Sequence, residues 1–234
     1  MVELRVYTEG LGEKLFVETV LAPHLNAFGV LARGASMGHP KGKPAGGIRH
    51  WEGNNGARSE LAQALQQGSS TYRLVVSTMV DFYGLKMDWP RRREAMATPV
   101  SQRGAMVQAG MMASMREALG DDPRIERFVP YISMHELEAL LLVQPEVLLR
   151  QFPNRAQTVA ALIDDIAGIP PEEIDDGPST APSKRILRHI PEYEHPKGIS
   201  AANGLRAIGL QTMRAACPNF HQWISELECL DALN

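Results

Sequence analysis

Several short segments of this 234-residue sequence place carboxylates or cations where a folded chain could use them. Glu9 stands between an alternating run, Leu4-Arg5-Val6-Tyr7-Thr8, and Gly10, which lets the backbone bend sharply. It is either a carboxylate aimed into a crevice at the sheet edge or an ordinary surface carboxylate at a strand end. Glu13 lies one turn into the following helix, where the helix dipole alone accounts for it; it ranks as a secondary ligand. Asp81 ends the most apolar strand of the chain, where a carboxylate without a partner would be costly. Metal coordination is one solution there, and capping the next turn is another. Asp88 joins the set only if its loop folds back, and an Asp before Trp89-Pro90 also makes an ordinary turn.

On a helix beginning near Met134, Glu138 falls in the middle of the apolar arc, beside Met134, Leu141 and Leu142. A carboxylate so placed wants a cation or a dense hydrogen-bond network. His135, three residues earlier, shares that face and could pair with it; Glu136 points toward Leu140. The His-Glu-Leu-Glu run lacks the second histidine of the HExxH zinc-protease pattern, which is rejected. Lys184 and Arg185 fall in the first turn of a helix capped by Ser183, the end where the dipole disfavours cations. A phosphate bound by both side chains and the helix N-terminus accounts for that placement. Two solvated side chains tolerating roughly a few tenths of a kcal/mol are the alternative. Several carboxylates with a basic pair describe metal-assisted phosphoryl transfer, and hard oxygen ligands favour Mg²⁺ or Mn²⁺ over zinc. Lys184 or Arg185 would neutralise charge developing on the phosphate.

The periodicity predicts the elements that must position these residues. Strands are expected over 4–8, 72–80 and 127–132, and helices over 13–28, 58–67, 96–119, 134–142 and 145–151. Helical patterns continue over 155–167, 183–189, 205–216 and 220–233, the last closing the core through Phe220, Trp223, Ile224, Leu227 and Leu230. The methionine face of Met106, Met111, Met112 and Met115 reads as core packing. Residues 34–56 read as a long loop or flap and 168–182 as an acidic, proline-rich surface loop. Strands alternating with helices imply an α/β fold with a mainly parallel sheet, whose ligands bind at the carboxyl ends of strands. Glu9, Asp81 and the 135–138 segment all lie at such ends. The reading is one domain over 1–234, with a helical elaboration from about residue 145.

Net charge is −3, so nucleic-acid binding would need local clusters. Those are Arg91-Arg92-Arg93, Lys184-Arg185, and the glycine-rich stretch with Lys41, Lys43, Arg49 and His50; a solvated loop is the alternative for each. Cys217 and Cys229 form no CxxC motif and read as two ordinary thiols. No apolar run reaches 18 residues and the N-terminus lacks a signal-peptide arrangement, so a cytoplasmic protein is expected.

The sequence resembles the bacterial proteins grouped as domain of unknown function (DUF) 4276, a family similar to Toprim-fold proteins. The segments that carry the resemblance are Val6-Tyr7-Thr8-Glu9-Gly10, residues 77–85 with Asp88-Trp89-Pro90, residues 128–141, Pro182-Ser183-Lys184-Arg185-Ile186 and residues 217–223. Toprim domains of topoisomerases, primases and OLD-type nucleases hold Mg²⁺ with a glutamate after the first strand and an Asp-x-Asp after a later one. The resemblance assigns these roles to Glu9 and Asp81, but Tyr83 stands where the second aspartate would be. Asp88 or a carboxylate of the 135–138 segment, Glu136 or Glu138, must then substitute. By analogy with OLD-type nucleases, Glu138 and Lys184 complete the site. The resemblance thus implies a Mg²⁺-dependent nuclease acting on DNA or RNA, working beside an AAA- or ABC-type ATPase in antiphage defence; a homodimer is an expectation of the same standing. The alternative is a non-catalytic adaptor that keeps the fold and senses a nucleotide or phosphate.

Overall fold

In a computed structural model, the structure describes residues 2–38, 48–67, 72–174, 177 and 179–231. Among these residues five strands, β1 (Val2–Thr8), β2 (Val30–Ser36), β3 (Arg73–Asp81), β4 (Phe128–Val129) and β5 (Ile132–Ser133), are all parallel. Their order is β2-β1-β3-β4, and β5 continues beside the end of β3. The helices are α1 (Leu11–Phe16), α2 (Ala22–Asn26), α3 (Ala57–Gln66), α4 (Arg92–Ala95), α5 (Val100–Leu119) and α6 (Glu138–Leu141). They continue with α7 (Ala156–Asp165), α8 (Pro182–His189), α9 (Lys197–Ile208), α10 (Leu210–Ala216) and α11 (Pro218–Glu228). A π-helical segment, Val17–Leu21, joins α1 to α2 as one continuous helix. No helix among the described residues is long and apolar enough to cross a membrane.

The period-2 alternation of the strands sorts the core onto the two faces of the sheet. Val2, Leu4, Val6, Val75 and Met79 pack with α1, α2 and the C-terminal helices. Tyr7, Leu74, Val76 and Val80 pack with α3 and α5, where Met111 and Met115 are buried and Met106 and Met112 lie against the cluster. The methionine face is therefore core, as expected. β3 is sheathed on both faces, which explains its unbroken apolar run.

Several expected elements are corrected. β2 occupies the start of the expected loop over 34–56. It escapes a periodicity search because its inward side chains are few and small: Val30 and Ala32 are buried, while Leu31 and Arg33 face out. Lys41 and Lys43 lie outside the described residues. The strand expected over 127–132 is split at Pro130, which has no N–H for a ladder. The helix of 96–119 starts at Val100, after Pro99. The helix expected over 134–142 shrinks to Glu138–Leu141, and 145–151 is a 3-10 segment, Pro145–Arg150. The helix of 205–216 is broken at Gly209, which sits at φ 81°.

The acidic stretch over 168–182 is more than a surface loop. The Glu172 carboxylate accepts hydrogen bonds from the backbone N–H groups of Asn219 (3.1 Å) and Phe220 (3.0 Å), and from Asn219 Nδ2 (3.2 Å). It caps α11, the helix that closes the core, from 47 residues away. Glu172→Ala is expected to cost about 1–2 kcal/mol, the usual value of a lost N-cap. Chemical denaturation reads this directly, and an unchanged midpoint would remove Glu172 from the account. Cys217 is buried and Cys229 exposed, both as free thiols.

Candidate functional site

β1 and β3 run side by side, with Thr8 opposite Met79, so Glu9 and Asp81 leave the same edge of the sheet together. The chain leaves β1 through α1 on one face to reach β2, then returns through α3 on the other face to reach β3. The crevice between the carboxyl ends of β1 and β3 is therefore a topological switch point, the usual ligand position of open α/β sheets.

A cavity of about 340 Å³ opens there, lined by Glu9, Glu13, Asp81, Glu136, Glu138 and Lys197. A second lobe of about 360 Å³ shares Glu9, Asp81 and Glu136 and is bounded by Tyr83, His135 and Pro182. Glu13 comes from the first turn of α1, and Lys197 is the first residue of α9. The two helices can meet because glycine faces glycine. A Cβ on Gly198 would lie 3.1 Å from the Gly12 nitrogen, and one on Gly12 would lie 3.3 Å from Gly198 Cα. That close approach brings Lys197 over the carboxylates.

The cleft is electrostatically strained. Burial pushes the Asp81 carboxyl up to about 8; the Tyr83 N–H, donating to Oδ1 at 3.0 Å, opposes this, while Glu9, Glu136 and Glu13 add to it. Burial likewise raises Glu138 to about 7, with Lys197 pulling the other way and Glu136 and Glu13 reinforcing the rise. Glu9 is raised by burial and by Glu136, against Lys197 and Lys86. Glu13 is raised by burial, against the backbone amides of Glu13 and Gly10, with Glu9 adding to the rise. Burial alone would depress Lys197, but Glu138 and Glu136 outweigh it, and the ammonium is held above its usual range.

Glu138 is 4% exposed. Its Oε1 accepts a hydrogen bond from the Tyr193 hydroxyl at 3.1 Å and lies 3.6 Å from Lys197 Nζ. The same ammonium is 3.7 Å from Glu136 Oε1, and Glu136 Oε2 accepts the Ser183 N–H at 3.0 Å. Among the described residues no three His, Cys, Asp or Glu side chains stand close enough to hold an ion without moving. The described lining thus offers all-oxygen donors in excess of Lys197, and it would have to draw together around a cation.

The structure brings together Glu9, Glu13, Asp81, Glu136 and Glu138 and separates three other candidates from them. Asp88 accepts N–H bonds from Trp51 (3.0 Å) and Glu52 (3.4 Å) and lies 3.2 Å from His50 Nδ1, so it organises the turn that packs Trp51 on Trp89. Arg185 is buried against the other side of α8, donating to the carbonyls of Thr180 (2.8 Å) and Asp165 (3.2 Å) and pairing with the Asp165 carboxylate at 3.0 Å. Lys184 is exposed and lines neither lobe. The helix cap is Ala181 rather than Ser183, and the anion at the N-terminus of α8 is the Glu136 carboxylate itself. His135 does not pair with Glu138; its ring stacks on Tyr83 at 5.2 Å, and the Tyr83 hydroxyl accepts from Arg103 at 2.9 Å.

Sequence reasoning missed Lys197 and Tyr193. A usable signal existed for the lysine: it opens a helix at the end where the dipole disfavours a cation, the same argument applied to Lys184.

Fold and cleft together define an α/β protein with an acid-lined pocket at the switch point of a parallel sheet. The chain belongs to the family described as domain of unknown function (DUF4276), whose model matches residues 8–228. Among solved structures, the C-terminal region of the OLD protein of Xanthomonas campestris pv. campestris is similar at 14% identity and a TM-score of 0.41, over 99% of this chain and 98% of that one. No curated protein matches the sequence.

Proposed function

We propose that this protein is a Mg²⁺- or Mn²⁺-dependent, Toprim-like phosphodiesterase that hydrolyses DNA or RNA. The observation that carries the reading is the convergence, in one half-buried cleft, of carboxylates from the end of β1, α1, β3 and the segment leading into α6 around one lysine among the described residues. Such a set is stable in ionised form only with more positive charge than Lys197 supplies, and its hard oxygen donors fit these ions. Glu9, Glu13 and Asp81 would hold the ion, with Glu136 at the rim. A divalent cation held there would supply polarisation of a phosphoryl oxygen and a water molecule of lowered pKa. Lys197 takes the charge-neutralising role first given to Lys184 and Arg185, because among the described residues its ammonium is the cation that lines the cleft. Tyr83, tied to Arg103 and His135, leaves the second Asp-x-Asp position without a carboxylate, so Glu13 supplies the further oxygen.

The acid lining disfavours the nucleotide-sensing adaptor, since without a cation these carboxylates would repel a phosphate. An ATPase partner and a role in antiphage defence extend this proposal through the family resemblance; a homodimer is a separate expectation. Purified protein with Mg²⁺ or Mn²⁺ should cleave plasmid, single-stranded DNA or tRNA. Intact substrates under every metal, with and without the genomically neighbouring ATPase, would overturn the reading.

The raised carboxyls add a calorimetric prediction. Because burial pushes the Asp81 carboxyl up to about 8, it carries a proton near neutrality in the metal-free protein, and cation binding must displace it. Mn²⁺ titrations at pH 7 in buffers of different ionisation enthalpy should show release of about one proton per ion, and affinity should rise from pH 6 to pH 8. Buffer-independent heats and pH-independent affinity would refute a site built on Asp81.

A further inference from the structure

Glu138 entered as a metal ligand, yet its surroundings are those of an anchor. Tyr193 is 0% exposed and belongs to the large core cluster, so its ring is fixed by packing. It stands in the 3-10 segment Pro191–Glu194, which leads directly into Lys197. Its hydroxyl donates to Glu138 Oε1 at 3.1 Å, and the Lys197 ammonium approaches the same oxygen at 3.6 Å. One carboxylate oxygen thus meets a neutral donor from behind and a cation in front. A phenol held above its ordinary range by burial and by Glu138 remains a donor at every working pH.

From this geometry we infer that Tyr193 and Glu138 act as positioning residues, a buried pair that aims the Lys197 ammonium into the cleft, and that Glu138 is not a ligand of the metal ion. The Tyr193 hydrogen bond fixes the Glu138 oxygen that faces the lysine, and that oxygen holds the ammonium. Glu136, at 3.7 Å from the same ammonium, provides a second contact that limits its swing. The metal ligands then reduce to Glu9, Glu13 and Asp81, with Glu136 beside them. Lysine has a flexible four-carbon stem, and two carboxylate contacts confine it before substrate arrives, so less ordering is left to the reaction itself.

The proposal rests on the metal-site reading only for what it removes from that site; the anchoring of Lys197 stands without it. Two substitutions, Tyr193→Phe and Glu138→Gln, keep shape and remove one interaction each. The first readout is acylation of Lys197 by an N-hydroxysuccinimide ester across pH, followed by peptide mass spectrometry of the metal-free protein. Both variants should acylate Lys197 several-fold faster than wild type at pH 8, with the labelling profile displaced to lower pH, because the ammonium has lost its partner. A purely structural tyrosine would lower thermal stability and leave that profile in place. The second readout is Mn²⁺ affinity, expected to stay within about threefold in both variants while Asp81→Asn loses it. An unchanged Lys197 profile overturns the anchoring role, and loss of Mn²⁺ binding in Glu138→Gln overturns its exclusion from the metal set. If wild type binds no Mn²⁺, the function proposed above fails, and the labelling arm still decides the anchor.

Discussion

Asp81→Asn is expected to abolish divalent-cation binding and nuclease activity while making the metal-free protein more stable above pH 7. The two effects share one cause. Asp81 ends a strand buried on both faces, and its charge is opposed by burial and by Glu9, Glu136 and Glu13. Its carboxyl is raised from 3.8 to about 8 in the fold, so the native state binds the extra proton between those values. The sign follows: stability is fully present below the unfolded pKa and is lost as pH rises through the folded one. A shift of that size corresponds to a ceiling of roughly 6 kcal/mol, lessened in practice by relaxation of the cleft and entry of water. Asparagine removes the charge, keeps an oxygen to accept the Tyr83 N–H, and should flatten the fall in melting temperature between pH 5 and pH 9. A wild-type melting temperature that does not fall over that range, or an asparagine variant destabilised at pH 8, would contradict the electrostatic account. Mn²⁺ should restore the stability of wild type at pH 8 and leave the variant unaffected.

Lys197→Met carries the second large effect, with opposite signs for binding and turnover. Removing the cation that lines the cleft among the described residues leaves the Glu136 and Glu138 carboxylates with less opposing charge, so Mn²⁺ affinity should stay the same or rise severalfold. Catalysis should fall on the order of 10²–10³-fold, the usual cost of removing one group that stabilises transition-state charge. Thermal stability should fall as well, because Glu138 is left buried without its cation. Calorimetry beside single-turnover cleavage separates these outcomes. Loss of metal binding together with activity would place Lys197 in a structural role, and full activity would remove it from the mechanism.

Much of this arrangement was legible in the residues. Glu9 and Asp81 could be read because each ends a strand whose alternation or apolar run is strong, and sheet geometry sends such ends to one edge. The helix over Pro218–Glu228 and the methionine face were legible because their periodicity is helical over several turns. β2 was not, since Ala32 and Gly34 give no apolar contrast. The helix expected from Met134 failed because the chain there still follows the sheet: the Phe82 N–H donates to the Ser133 carbonyl at 2.8 Å, and the Ser133 hydroxyl to the His135 carbonyl at 2.7 Å. Those bonds keep Ser133 on the sheet, the chain then bends at Met134 and His135, and the Glu136 carboxylate meets the Ser183 N–H of α8. Asp88 and Arg185 have the right chemistry but spend it on Trp51 and Asp165, partners distant in sequence. Lys197 carried a local signal, a cation at a helix N-terminus, but its place over these carboxylates depends on the Gly12–Gly198 contact, which lies beyond local pattern.

The most direct test of the central claim is the anomalous difference map of a crystal soaked in Mn²⁺ at pH 8. The account predicts a peak in the cleft between the carboxylates of Glu9, Glu13 and Asp81, with Lys197 still beside Glu138. An empty cleft at saturating Mn²⁺, or a peak coordinated by residues outside it, would contradict the account.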